Sequence, residues 1–190
     1  AGGPYTVFTP YSRAALAIHP QDPLPRPPKL TGIAKAKGIP LPDLKQLGLE
    51  SCDISLPAAG EKAAQQLLRD FAAKNLRRYD AVRNFPLADA TSRLSPHLRF
   101  GTISVRTVLA AARRARAEDS SAKKQIDVFI SELLWRDFYK QILWEFPHVA
   151  EGSFRKEYDA VEWENRKDLF QAWCEAVSYT HLTLPTILLV

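Results

Sequence analysis

The sequence contains no methionine, two cysteines and eight glycines in 190 residues. No apolar run approaches the ~18 residues of a membrane-spanning helix. Each shortage excludes something. Cys52 and Cys174 stand far apart with no paired spacing, so neither a disulfide framework nor a metal site is available. A reducing, cytoplasmic setting is expected. The first eleven residues lack a basic stretch followed by an apolar one, so no secretory leader is legible; without an initiating Met, a leader upstream of Ala1 stays open. The few glycines form neither a phosphate loop nor a dinucleotide fingerprint. What is present, 46% hydrophobic, 25% charged and 10% aromatic residues, describes an ordinary globular protein and excludes a collagenous or wholly disordered chain. The length suits one well-buried domain, with or without an extended arm.

Proline is plentiful but unevenly placed: ten of the 14 fall in the first 60 residues. There they repeatedly forbid helix and remove backbone donors, so residues 1–59 read as an arm or linker. Within it, Tyr5 to Phe8 reads as a strand, Ser12 to Ile18 as a short helix, and Pro20 to Pro28 as an extended, polyproline-like stretch.

From Gly60 the pattern becomes helical. Ala64, Leu67, Leu68, Phe71 and Leu76 recur at the spacing of one buried helix face between Glu61 and Tyr79. Val105, Val108, Leu109 and Ala112 do the same in Ser104 to Arg116. Ile126, Phe129, Ile130, Leu133 and Leu134 do so in Ser121 to Phe146. Asn165 followed by Asp168 reads as a helix start, with Leu169, Phe170 and Trp173 on its apolar side. The fold class expected is mainly α.

Charge is segregated as well. Residues 61–125 carry 14 Lys and Arg against 6 Asp and Glu, a balance of +8, whereas residues 126–175 carry 6 against 11, a balance of −5. Such a basic cluster is more often a solvated helix face than a nucleic-acid or phosphate site. One loop inside it carries more. Thr91, Ser92, Arg93, Ser95 and Arg99 place three hydroxyls and two guanidinium groups within nine residues, between two helices. Hydroxyls and amides at helix starts bind phosphate, and Arg adds a planar fork. An ordinary capped turn explains the same residues, with Ser95 and Ser104 as caps.

The long helix holds a second cluster. At about 100° per residue, Glu132, Trp135, Arg136 and Tyr139 share one stripe about 100° wide. An acceptor, a π surface, a cation and a phenol together suit a flat, hydrogen-bonding ligand. An amphipathic margin with an ordinary Glu132–Arg136 pair is the alternative.

Taken in order, Tyr5 to Tyr11, Gly60-Glu61, Leu76-Arg77-Arg78-Tyr79 with Arg83 and Pro86, Thr91 to Gly101, Glu132 to Tyr139, and Phe170 to Glu175 resemble the photolyase and cryptochrome flavoprotein family, most closely its bacterial class I cyclobutane-dimer enzymes. The resemblance spans residues 4–175 and decides both open readings toward function. It implies the end of an antenna domain and an interdomain linker over residues 1–59, and the first half of an all-helical FAD-binding, DNA-binding domain over 60–175. It also implies light-dependent repair of cyclobutane pyrimidine dimers by electron transfer from reduced FAD, with damaged DNA as partner, a monomeric protein and no membrane. A second, antenna chromophore of folate or deazaflavin type is implied outside this chain. Photolyases flip the lesion out of the duplex.

Carried over by position, Tyr79, Thr91, Ser92, Arg93, Leu94, Ser95 and Arg136 resemble FAD-binding residues. Arg83 resembles a DNA contact, and Glu132, Leu133, Leu134, Trp135, Arg136, Asp137, Phe138 and Tyr139 resemble the wall toward DNA. Glu132 and Trp135 are the implied lesion contacts, and Trp163 the implied outermost member of an electron-transfer chain. Glu rather than Gln at position 132 favours repair over a cryptochrome-like light receptor, which is the alternative; a basic helical nucleic-acid module outside the family is a third. Residues 176–190 carry no charge and no matching motif, and read as a foreign tail. The expectation is that this chain alone holds part of a flavin pocket and is inactive.

Overall fold

The computed structural model describes residues 3–18, 22–25, 28, 38–50 and 56–175. Among them are seven α-helices and no strand: α1 (Phe8–Ala17), α2 (Glu61–Lys74), α3 (Tyr79–Val82), α4 (Ser95–Phe100), α5 (Val105–Glu118), α6 (Lys123–Glu145) and α7 (Lys167–Cys174), with short 3₁₀ turns between several of them. The chain divides into two units, 1–142 and 143–190.

Local chemistry sets the boundaries. Gly60, at φ 92°, turns the chain into α2, whose first residue Glu61 suits the positive end of the helix dipole. Ser104 caps α5, its hydroxyl accepting from the Arg106 amide at 3.2 Å. Asp119 Oδ1 accepts from the amides of Ser121 at 3.0 Å and Ala122 at 3.3 Å, opening the turn that leads straight into α6. Pro96 sits in the first turn of α4, where its missing N–H costs nothing. Gly101 closes that helix in the left-handed conformation at φ 72°, and the Thr102 amide donates back to the His97 carbonyl at 3.0 Å.

The core of the first unit lies between α2, α5 and α6. Ala64, Leu68 and Phe71 meet Val108, Ala112 and Ala115 of α5, and Ile126, Phe129, Ile130 and Leu133 of α6. Alanines on α2 and α5 let those helices approach closely. Phe71, Tyr79 and Phe129 form an aromatic triangle, with ring centroids 4.8 to 5.8 Å apart. Ion pairs hold the corners: Arg116 Nε lies 2.8 Å from Asp127, and Arg77 reaches Glu118 at 3.3 Å.

Two expectations need correction. Tyr5 to Phe8 is not a strand; Tyr5, Thr6 and Val7 are irregular, and Phe8 begins α1, which starts four residues before the helix expected at Ser12. The reason is packing: Phe8, Tyr11 and Phe138 form an aromatic cluster, and a helix brings Phe8 and Tyr11 onto one face. Asn165 does not cap α7. It sits at φ 44° and the cap position falls to Arg166. Phe170 and Trp173 of α7 stack on each other at 5.9 Å and remain exposed. Pro20, Gln21, Arg26 and Pro27 of the Pro20 to Pro28 stretch, and all of the uncharged tail 176–190, lie outside the described residues; residues 22–25 and 28 carry no regular element.

Candidate cofactor and nucleic-acid site

Between α2 and α5 the chain makes an excursion, α3 and then the loop to α4, that lies against α6. Its fixed points are apolar: Leu76 and Leu94 are 1% exposed, and Ala90 is 2% exposed. Anchored at those three positions, the intervening polar residues face outward. Thr91, Arg93 and Ser95 are exposed, and Ser92 is half-buried. Thr91, Arg93 and Ser95 line a cleft of about 380 Å³ together with Arg83, Phe85, Pro86, Asp89 and Pro96. No side chain caps α4 at this end, Pro96 has no N–H to donate, and the Leu94 amide before it donates to Ser92 Oγ at 3.4 Å. Arg93 is held by Asp89, Nε donating at 2.7 Å.

α6 supplies the second wall. Glu132 receives a hydrogen bond from Arg83 Nη1, and the Arg83 guanidinium lies 5.8 Å from the Tyr79 ring centroid. Burial, reinforced by the Glu132 carboxylate, raises the Tyr79 phenol above its ordinary pKa, with Arg83 opposing; the bond to Glu132 raises Arg83. Arg136 does not pair with Glu132. Its Nη2 donates to the Leu98 carbonyl at 3.2 Å, tying α6 to α4. Trp135 is half-buried. Phe8 stacks on it at 3.6 Å with the rings 8° from parallel, and Tyr139 stacks at 5.6 Å.

The residues picked from sequence thus separate into four groups. Tyr79, Arg83 and Glu132 are brought together, and Thr91, Arg93 and Ser95 share a cleft with Arg83. Leu94, Leu133 and Phe138 are turned into the core, 1%, 7% and 5% exposed, where they pack rather than meet a ligand. Leu134 and Asp137 border a different cavity, of about 390 Å³, against α1. Asp137 accepts from the Tyr11 hydroxyl at 2.5 Å. Trp163 is an exposed residue of the second unit.

Sequence reading missed Phe8 and Tyr11 as partners of α6, and Asp80 and Lys124 as members of the Arg83 network. Asp80 lies three residues before Arg83 at a helical spacing that could have shown it. Nothing in spacing could link Tyr11 to a residue 126 positions away.

The cleft suits the phosphate end of a dinucleotide. It offers two exposed hydroxyls and a nearby guanidinium, and its volume fits part of such a molecule. Among the described residues no cluster of His, Cys, Asp and Glu could hold a metal ion. No helix there is long and apolar enough to cross a membrane.

Residues 129–178 match the FAD binding domain of DNA photolyase. The chain is 37% identical over 179 residues to a deoxyribodipyrimidine photo-lyase of Halobacterium salinarum, covering 91% of this chain and 37% of that protein. It is 38% identical over 187 residues to one from Synechococcus, covering 93% and 38%. Among solved structures, a bacterial class III photolyase from Agrobacterium tumefaciens superposes with a TM-score of 0.77 at 32% identity, over 90% of this chain and 36% of that one. The chain therefore spans somewhat over a third of the length of these relatives. These likenesses fix the family and not the class within it: the chain belongs to the DNA photolyase family, and its residues build part of the FAD-binding domain.

Proposed function

We propose that this chain serves light-dependent repair of cyclobutane pyrimidine dimers in DNA. The observation that carries the reading is the meeting of Tyr79, Arg83 and Glu132 beside the 91–95 cleft, in a chain 37% identical to a deoxyribodipyrimidine photo-lyase. Reduced FAD, held by Tyr79 and the 91–95 loop, would supply the light-driven electron-transfer chemistry that splits the dimer.

This chain's own residues bind and orient. Thr91 and Ser95 offer hydroxyls to the cofactor's phosphates, and Ser92, accepting from the Leu94 amide, shapes the loop between them. Tyr79 borders the cofactor side. Arg136, bonded to the Leu98 carbonyl, keeps α4 in register with α6. On the DNA side, a carboxylate can accept from the N–H edge of a flipped pyrimidine and an indole can pack on its ring; Glu132 and Trp135 take these roles. Phe8, parallel to Trp135, holds the indole plane. A dimer stacks and pairs poorly, so its extrusion costs less than that of an intact base. Trp163 is assigned as an electron donor at the surface of the second unit, and Trp163→Phe is expected to slow light-driven flavin reduction.

The test uses the protein expressed from its complete gene. With FAD, reductant and blue light, it should restore ultraviolet-irradiated thymine-dimer DNA, measured by loss of the dimer in a defined oligonucleotide. Bound FAD with no loss of dimers under illumination would favour a light receptor and end this reading.

A further inference from the structure

We infer that Arg83 is a positioning residue that holds Glu132 for the lesion, and not a contact to the DNA phosphates. The inference rests on the proposed role of Glu132. Arg83 follows α3 directly, and its guanidinium crosses to the middle of α6, 49 residues away in sequence, to donate from Nη1 to Glu132 Oε1. Its Nε lies 4.0 Å from Asp80 Oδ1, too far for a hydrogen bond, and is buried without an acceptor. The bond to Glu132 is therefore the directional one. Asp80 in turn is approached by Lys124 Nζ at 3.7 Å. Lys124, Asp80, Arg83 and Glu132 thus alternate in sign along one chain of contacts, two cations with two carboxylates, and their formal charges cancel.

Two physical consequences follow. A phosphate anchor contributes through charge that can replace condensed counterions, and the charge of Arg83 is already balanced by two carboxylates on the protein. A carboxylate that reads a base edge must instead be fixed in place before the base arrives. The guanidinium does this: it occupies Oε1, leaves Oε2 as the acceptor, and is itself steadied over the Tyr79 ring. Arg83 also joins the wall of the 91–95 cleft, so the same side chain sets the spacing between cofactor-side and lesion-side residues.

The experiment is a binding titration of the protein expressed from its complete gene. Fluorescence anisotropy is read on a duplex carrying one thymine dimer and on the same duplex undamaged, at several salt concentrations. Arg83→Gln should lower affinity for the dimer-containing duplex about tenfold, the scale of one specific polar contact. The loss should be confined to that duplex, with the slope of log affinity against log salt unmoved. In a Glu132→Gln background, Arg83→Gln should add nothing. Arg83→Lys, which keeps the charge and removes the planar fork, should fall between wild type and Arg83→Gln, and it also serves if Arg83→Gln melts early. Equal losses on both duplexes with the salt slope reduced by about 1 would make Arg83 a phosphate contact and overturn the inference. A wild-type protein with no preference for the dimer would overturn the photolyase reading itself, and this role with it.

Discussion

Trp135 is half-buried and stacks with Phe8 of α1 and Tyr139 of α6, so its plane is set by neighbours from two helices rather than by its own rotamer. If it packs on the lesion, Trp135→Ala should weaken dimer binding by about 1–3 kcal/mol, the usual loss of one base–aromatic stack. Unchanged affinity for dimer-containing DNA would remove it from the pocket. Tyr11 is the other residue whose chemistry depends on α1 being docked. Burial, then the hydrogen bond to Asp137, then that carboxylate's charge push its phenol pKa well above the ordinary tyrosine value. The sign follows: the group ionises more readily in the unfolded chain, so its contribution is intact below pH about 10 and declines as pH rises beyond that. Thermal melts between pH 8 and 12 should show an alkaline loss of stability that is shallower in Tyr11→Phe. An equally steep loss in that variant would mean that other groups govern it.

Among the elements, α6 carries most of the consequence. Ile126 is 0% exposed and sits where α5 and α6 meet the core; Ile126→Ala should cost about 2–5 kcal/mol in urea unfolding. Gly101 closes α4 at φ 72°, and a Cβ added there would meet nothing within 4 Å, so Gly101→Ala should cost only the backbone term of about 1 kcal/mol. A far larger loss would show that the α4 cap carries tertiary packing as well. Most of this was legible beforehand, because buried helix faces repeat with a fixed period: the positions expected on α2, α5 and α6 include Ala64, Leu68, Phe71, Val108, Ala112, Ile126 and Phe129, all of them buried. Local pattern showed only the later part of α1, because its first residues are helical through tertiary aromatic packing of Phe8 and Tyr11 against α6. It also placed Glu132 and Arg136 on one stripe but could not show that each bonds elsewhere, to Arg83 and to the Leu98 carbonyl.

For the molecule as a whole, the informative quantity is where the net charge of +5 resides. Residues 1–142 carry 22 Lys and Arg against 13 Asp and Glu, whereas residues 143–190 carry 4 against 8. The first unit is thus +9 and the second −4. Because nonspecific DNA binding is driven by release of counterions from phosphates, it should belong to the first unit and fall steeply with salt. Within that unit the Arg83 network is formally neutral, so on the proposed reading the DNA phosphates would be served by other cations, and the exposed Arg99 beside the cleft loop is the first candidate. Arg99→Gln should weaken binding to damaged and undamaged duplexes alike and reduce the salt slope by about 1. Replacing Arg155, Lys156, Arg166 and Lys167 of the second unit by Gln should leave that slope where it is. If the second set of changes flattens the slope and the first does not, the DNA-facing charge lies on the second unit, and the basic segment 61–125 is a solvated surface after all.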